Sequence, residues 1–201
     1  MCNKKIIIYH FNDTHARVST HDDDEKAIGL DQISKVVNLS LLKNKNTFLF
    51  CAGDLIHGTP RIDISNGLNI IDLLNPLHIN AITLGNHEFN ADFNQLLTIT
   101  KQLNTYVLCA NVRYKNTKEN AFLPYMIYEI DLNQDDYISE NSNDSNKDNL
   151  KIGVFGLATP ETAYKTNPIN VQDLEFTNPI STAKQMVKLL KNNCDINSIM
   201  N

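Results

Sequence analysis

No apolar run in this chain approaches the roughly 20 residues needed to cross a bilayer, which excludes a helical membrane span. No lysine- or arginine-rich stretch is present, and a net charge of -5 argues against a nucleic-acid polymer as partner. The four cysteines, Cys2, Cys51, Cys109 and Cys194, contain no CxxC pair, so neither a zinc knuckle nor a disulfide framework is indicated. Cys51 and Cys109 fall in apolar, strand-like runs and read as buried reduced thiols. No glycine-rich phosphate loop follows the first strand, against a doubly wound nucleotide-binding domain. Behind Lys4 and Lys5 only Ile6 to Tyr9 is apolar, too short for a signal peptide, so the chain as written reads as cytoplasmic and soluble. Six histidines are present, and none follows His87.

What is there is a core: 42% of the 201 residues are hydrophobic, enough for one domain spanning residues 1–201 or for a large part of one. Lys5 to Phe11, Thr47 to Ala52, Ile79 to Leu84 and Tyr106 to Ala110 read as buried strands. Ala27 to Leu42, Ser65 to Leu74 and Asp92 to Leu103 carry helical spacing between them. Alternating strands and helices predict an α/β fold with parallel strands and right-handed crossovers. Phe122 to Leu132 and Lys151 to Leu157 read as strands of a second sheet, and Asn178 to Leu190 as a last helix. The Asn-, Asp- and Ser-rich segment 133–149 reads as a disordered insertion in a hairpin. Asn192 to Asn201 is expected to form no element. The acidic run Asp22 to Glu25 reads as a solvated loop.

The chemistry gathers at three strand ends. Asp13 and His15 follow the first strand; on extended backbone they share a face and form a half-shell for a divalent cation. Gly53-Asp54 ends the second strand, where a carboxylate can bridge two cations. Gly85-Asn86-His87-Glu88 ends the third, offering Asn86 as a metal ligand and His87 as an acid or charge stabiliser. His10 and Asn12 fall on the other register, suited to support rather than ligation. His57, beside the turn Gly58-Thr59-Pro60, faces either solvent or substrate.

Asp13-x-His15, Gly53-Asp54 and Gly85-Asn86-His87-Glu88 resemble the first three motifs of the calcineurin-like metallophosphoesterases. The wider text, His10 to His15, Leu84 to Phe89 and Gly156 to Thr162, is similar to the 5′-nucleotidase and 2′,3′-cyclic phosphodiesterase branch. The resemblance implies a β-sandwich flanked by helices with two divalent metals, zinc, manganese or cobalt. Asp13 and His15 would hold one, Asp54 would bridge, Asn86 would hold the other, and His87 would serve the phosphate. It implies hydrolysis of nucleotide phosphomonoesters by metal-activated water, with a small phosphate ester as the partner; many members of the family are exported. Two departures stand out. Asn90 stands where the family usually has an aspartate that orients His87, and the later histidine motifs are absent. The ligand count falls to one complete cation site. The expectation is therefore an incomplete catalytic domain, with a catalytically inactive metal- or nucleotide-binding module of the same fold as the alternative. Which ester is used is not legible.

Overall fold

The computed structural model describes residues 5–19, 28–131, 149–193 and 198–200. Four strands, β1 (Ile7–Phe11), β2 (Thr47–Cys51), β3 (Ala81–Ile82) and β4 (Tyr106–Val107), form one parallel sheet in that order, with Ile7 opposite Thr47 and Phe50 opposite Ala81. Helix α1 (Leu30–Lys43) carries the chain from β1 to β2. The short α2 (Pro60–Asp63) and α3 (Ile70–Leu74) lie between β2 and β3, and α4 (Phe93–Gln102) joins β3 to β4. Parallel neighbours require such crossovers, so the repeated strand-helix order in the sequence sets this sheet. Asp92 caps α4 by accepting from the backbone N–H groups of Asn94 and Gln95, a contribution of about 1 kcal/mol.

Beyond β4, strand β5 (Val112–Tyr114) leads to β6 (Tyr125–Asp131) and β7 (Asn149–Phe155), which pair antiparallel. After α5 (Thr162–Lys165), strand β8 (Leu174–Phe176) pairs antiparallel with β5. Helix α6 (Pro179–Asn193) then leads to β9 (Ser198–Met200), parallel to β7. The two larger sheets face each other across Phe50, Ala81, Leu108, Ile130, Ile152 and Val154. On the other face of the parallel sheet, Leu49, Cys51 and Ile82 join Val37, Leu74, Leu96 and Ile99 from the helices. This is a β-sandwich with flanking helices.

Several expectations change. β9 forms where no element was expected, since a three-residue edge strand needs only a neighbour's free ladder, which β7 supplies. The helix expected from Ser65 begins at Ile70 because Asn66 and Gly67, at φ 48° and 86°, are left-handed and interrupt it. His78, also left-handed at φ 54°, ends a 3₁₀ turn at Asn75–Leu77, and β3 begins at Ala81 and not at Ile79. Ile28 and Val36, apolar residues within the helix expected over Ala27 to Leu42, are exposed, and Ile28 precedes α1. The acidic run and most of the expected insertion lie outside the described residues, but Asn149 belongs to β7.

Candidate metal and phosphate site

The site grows from the carboxyl ends of β1, β2 and β3, and the loops leaving them are tied together by backbone. Beyond the ladder, Ala52 donates to Phe11, Asp13 to Gly53, Thr83 to Cys51, and His15 to the carbonyl of Asp54 at 3.0 Å. The exits turn by left-handed residues, Asp13, His15, Ala16 and Asp54 lying at φ 47° to 57°. Asp13 and His15 therefore converge through a left-handed turn and not along extended backbone, a correction to the expected geometry. Each such non-glycine residue costs about 1–2 kcal/mol, so the surrounding bonds must hold it. Two glycines permit the close approach: a Cβ on Gly53 would meet the Gly85 nitrogen at 2.3 Å, and one on Gly85 would meet Asp54 Oδ1 at 2.2 Å.

The largest single tie is Glu88, 1% exposed. Its Oε1 accepts from the backbone N–H groups of Leu55 and Ile56, at 2.6 and 3.4 Å, and its Oε2 from those of Asp54 and Gly85, at 2.9 and 2.7 Å. One carboxylate thus fastens the β2 and β3 exits to each other. Burial pushes the Glu88 carboxyl above the ordinary carboxylate range, with the Asp54 charge adding to this; the amides of Leu55, Asp54 and Gly85 pull it back. Sequence reasoning assigns Glu88 no role apart from its motif. Its only signal was a charged residue followed directly by a core phenylalanine.

Phe89 is that phenylalanine, fully buried against Phe122 and Phe176. It anchors the 3₁₀ turn His87–Asn90, while Thr166 Oγ1 and Asn170 Nδ2 donate to its carbonyl at 2.8 and 3.1 Å. No sequence pattern marked Thr166 or Asn170. The same turn presents Asn90, whose Nδ2 lies 2.8 Å from His87 Nδ1 and whose Oδ1 takes the Thr166 hydroxyl at 3.2 Å. In this arrangement the amide donates to Nδ1, which leaves the His87 proton on Nε2.

Each of His15, Asp54 and His87 can place a ligand atom within 4.8 Å of the other two. Asp54 Oδ1 accepts the His87 backbone N–H at 2.9 Å, so one carboxylate oxygen is fixed in place and the other can face a cation. Asp13 Oδ1 stands 3.9 Å from His15 Nε2, its side chain 57% exposed. Asn12 turns its amide onto Asp13 Oδ2, the supporting part expected of it. Asn86, half-buried, immediately precedes His87 at the head of the turn. His10 is exposed and lines an apolar cavity between the sheets with Ile8 and Phe50, away from the ligand group. The side chains of His15, Asp54 and His87 form a group that could hold a divalent cation.

The sequence matches the model of the family described as calcineurin-like phosphoesterase over residues 6–198. Among curated proteins it is similar to Protein UshA of Yersinia enterocolitica, 29% identical over 191 residues, covering 92% of this chain and 31% of that one. It is also similar to the snake venom 5′-nucleotidase of Crotalus adamanteus, 30% identical over 174 residues. The chain thus spans about a third of the length of such relatives. Among solved structures, the calcineurin-like phosphoesterase YfkN of Bacillus subtilis superposes with a TM-score of 0.79 at 26% identity, over 96% of this chain and 60% of that one. The NAD nucleotidase of Haemophilus influenzae superposes with a TM-score of 0.77 at 27% identity, over 97% and 33%. With the family's match running from β1 to the start of β9, and with its three strand-end motifs converging in space, this chain belongs to the calcineurin-like phosphoesterases.

Proposed function

We propose that this chain carries the first half of a metal-dependent phosphomonoesterase site of the 5′-nucleotidase type, acting on nucleotides or related small phosphate esters. The observation that supports it most is the convergence of His15, Asp54 and His87. His15 and Asp54, with Asp13 beside them, would hold one divalent cation, and Asp54 with Asn86 would begin a second position. A bound cation of this kind lowers the pKa of water and neutralises charge on a phosphoryl group. The chain's own residues do the rest. Asp54, held by the His87 backbone N–H and, through its own N–H, by Glu88, would present its carboxylate to the cation. His87, with Nδ1 taken by Asn90, presents an Nε2–H that can donate a hydrogen bond to a phosphoryl oxygen or to the oxygen of the leaving group, stabilising the charge there.

The test pairs calorimetric titration of manganese with turnover of AMP and an aryl phosphate. The expected result is about one tight ion per chain and a small turnover with manganese or cobalt, with both ion binding and turnover lost in Asp54→Ala. His87→Ala should keep most of the ion affinity while losing turnover about a hundredfold to a thousandfold, the usual cost of one electrostatic stabiliser. Equal loss of ion binding in both variants would instead make His87 a ligand. Stoichiometric ion binding with no turnover would favour a binding module.

A further inference from the structure

The ring of His87 is packed between two others. His57 lies parallel to it, centroids 5.6 Å apart, with its own Nδ1 2.9 Å from Asp63 Oδ1, and His15 meets it edge-on at 4.8 Å. A ring held in this way keeps one freedom, which of its two nitrogens carries the proton in the neutral state. That choice follows from Asn90, whose amide meets His87 Nδ1 at 2.8 Å with one of two ends of nearly equal size. A donating Nδ2 leaves the proton on Nε2, whereas an accepting Oδ1 would draw it onto Nδ1. The selection is made at the far end of the amide.

There it meets Thr166, 6% exposed, at the carboxyl end of α5. Thr166 Oγ1 lies 2.8 Å from the Phe89 carbonyl and 3.2 Å from Asn90 Oδ1, so one hydroxyl proton is shared between two acceptor oxygens. While the hydroxyl donates, Oδ1 is the end of the amide that belongs on its side, and Nδ2 is left to face the imidazole. The segment around Thr166 holds it in place. Asn167 accepts the Ile169 N–H at 3.2 Å, and Asn170 Nδ2 donates to the carbonyls of Asn90 and Phe89 at 2.8 and 3.1 Å. We propose that Thr166 is a positioning residue for His87: acting through the Asn90 amide, it places the imidazole proton on Nε2. The consequence for chemistry rests on the function proposed above, in which His87 faces a phosphate. With its proton on Nε2 the ring donates to a phosphoryl oxygen; with the proton on Nδ1, Nε2 would be a bare lone pair and a ligand for the cation instead.

The experiment records nitrogen–proton correlation spectra of the histidine rings in the metal-free, isotope-labelled chain at about pH 8.5, where imidazole is ordinarily neutral. The His87 signals are identified by their loss in His87→Gln. The parent should carry the proton on Nε2, and Asn90→Asp, whose carboxylate only accepts, supplies the spectrum of the opposite ring, protonated on Nδ1. In Thr166→Val, which keeps the shape and drops the hydroxyl, the ratio of the Nε2 form to the Nδ1 form should fall about tenfold, the worth of roughly one hydrogen bond. Thr166→Ser should return the ratio to the parent's value. Thr166→Ala gives the same comparison should the melting curve show that the valine variant does not fold. A parent with the proton on Nδ1 would overturn the proposal, as would a folded valine or alanine variant with the parent's spectrum, or a serine variant that behaves as valine does. No cation or substrate enters these spectra, so the expected spectra beside an absence of turnover would overturn the proposed function and leave the role of Thr166 standing.

Discussion

Glu88→Gln should lower the stability of this chain by about 2–4 kcal/mol and weaken its divalent-ion binding at the same time. The carboxylate divides its four backbone donors two to each oxygen, Leu55 and Ile56 on one, Asp54 and Gly85 on the other. A carboxamide replaces one oxygen with NH₂, so in either orientation two buried N–H groups face another donor. Each stripped donor costs about 1–3 kcal/mol, and relief from burying a charge returns part of the total. For a chain of this size that is a fall in melting temperature of about 5–15 °C. The effect reaches the ion because the two loops that Glu88 joins carry Asp54 and Asn86. Differential scanning calorimetry and manganese titration of the same samples read both quantities. A melting temperature within about 1 °C of the parent, with unchanged ion affinity, would refute the reasoning, since the four donors would then have found other acceptors without cost.

Phe89→Ala should cost about 3–5 kcal/mol in urea denaturation, the usual loss for a fully buried phenylalanine, and a cost under about 1 kcal/mol would mean that Phe122 and Phe176 close over the gap. In a variant lacking Cys2 and Cys194, Cys51 and Cys109 should resist alkylation at pH 8 until the chain is unfolded, because burial pushes the Cys109 thiol to about 12 and pushes Cys51 up as well. The sign for stability follows from those raised values. The unfolded thiols ionise near 9.0 while the folded ones keep their protons, so stability present below that pH falls as pH rises from there toward 12, and Cys109→Ala should flatten the decline.

The parallel half of the fold was readable because its strands are short apolar runs and its longer helices carry clear spacing, and parallel strands leave few ways to join them. Boundaries failed where conformation depends on single dihedral angles. Asn66, Gly67 and His78 are left-handed, and no hydrophobic period announces that. β9 was missed because Ser198, Ile199 and Met200 have no alternation of their own and become a strand only through β7. In the site, Asp13, His15, Asp54 and His87 were legible as polar residues at strand ends, and the fold brings them together. What holds them was not. Glu88 acts through main-chain amides, and Thr166 reaches Asn90 across 76 positions of sequence, a contact that only the tertiary fold creates. His57 drew notice as a histidine near a turn, but its pairing with Asp63 depended on α2 beginning at Pro60, where only a turn was expected.

The left-handed backbone at Asp13, His15 and Asp54 has a consequence for anyone selecting variants of this protein. Glycine at any of these positions relieves local strain, whereas most substitutions in the interior do harm. Asp and Asn tolerate this conformation better than His does, so His15→Gly offers the greatest relief of the three. A library screened for heat resistance alone would therefore shed the side chains proposed to bind a cation first, beginning at His15, and would return sturdier proteins without them. Screening with manganese present reverses that drift, because the ion's binding energy then rewards the very residues whose backbone is strained.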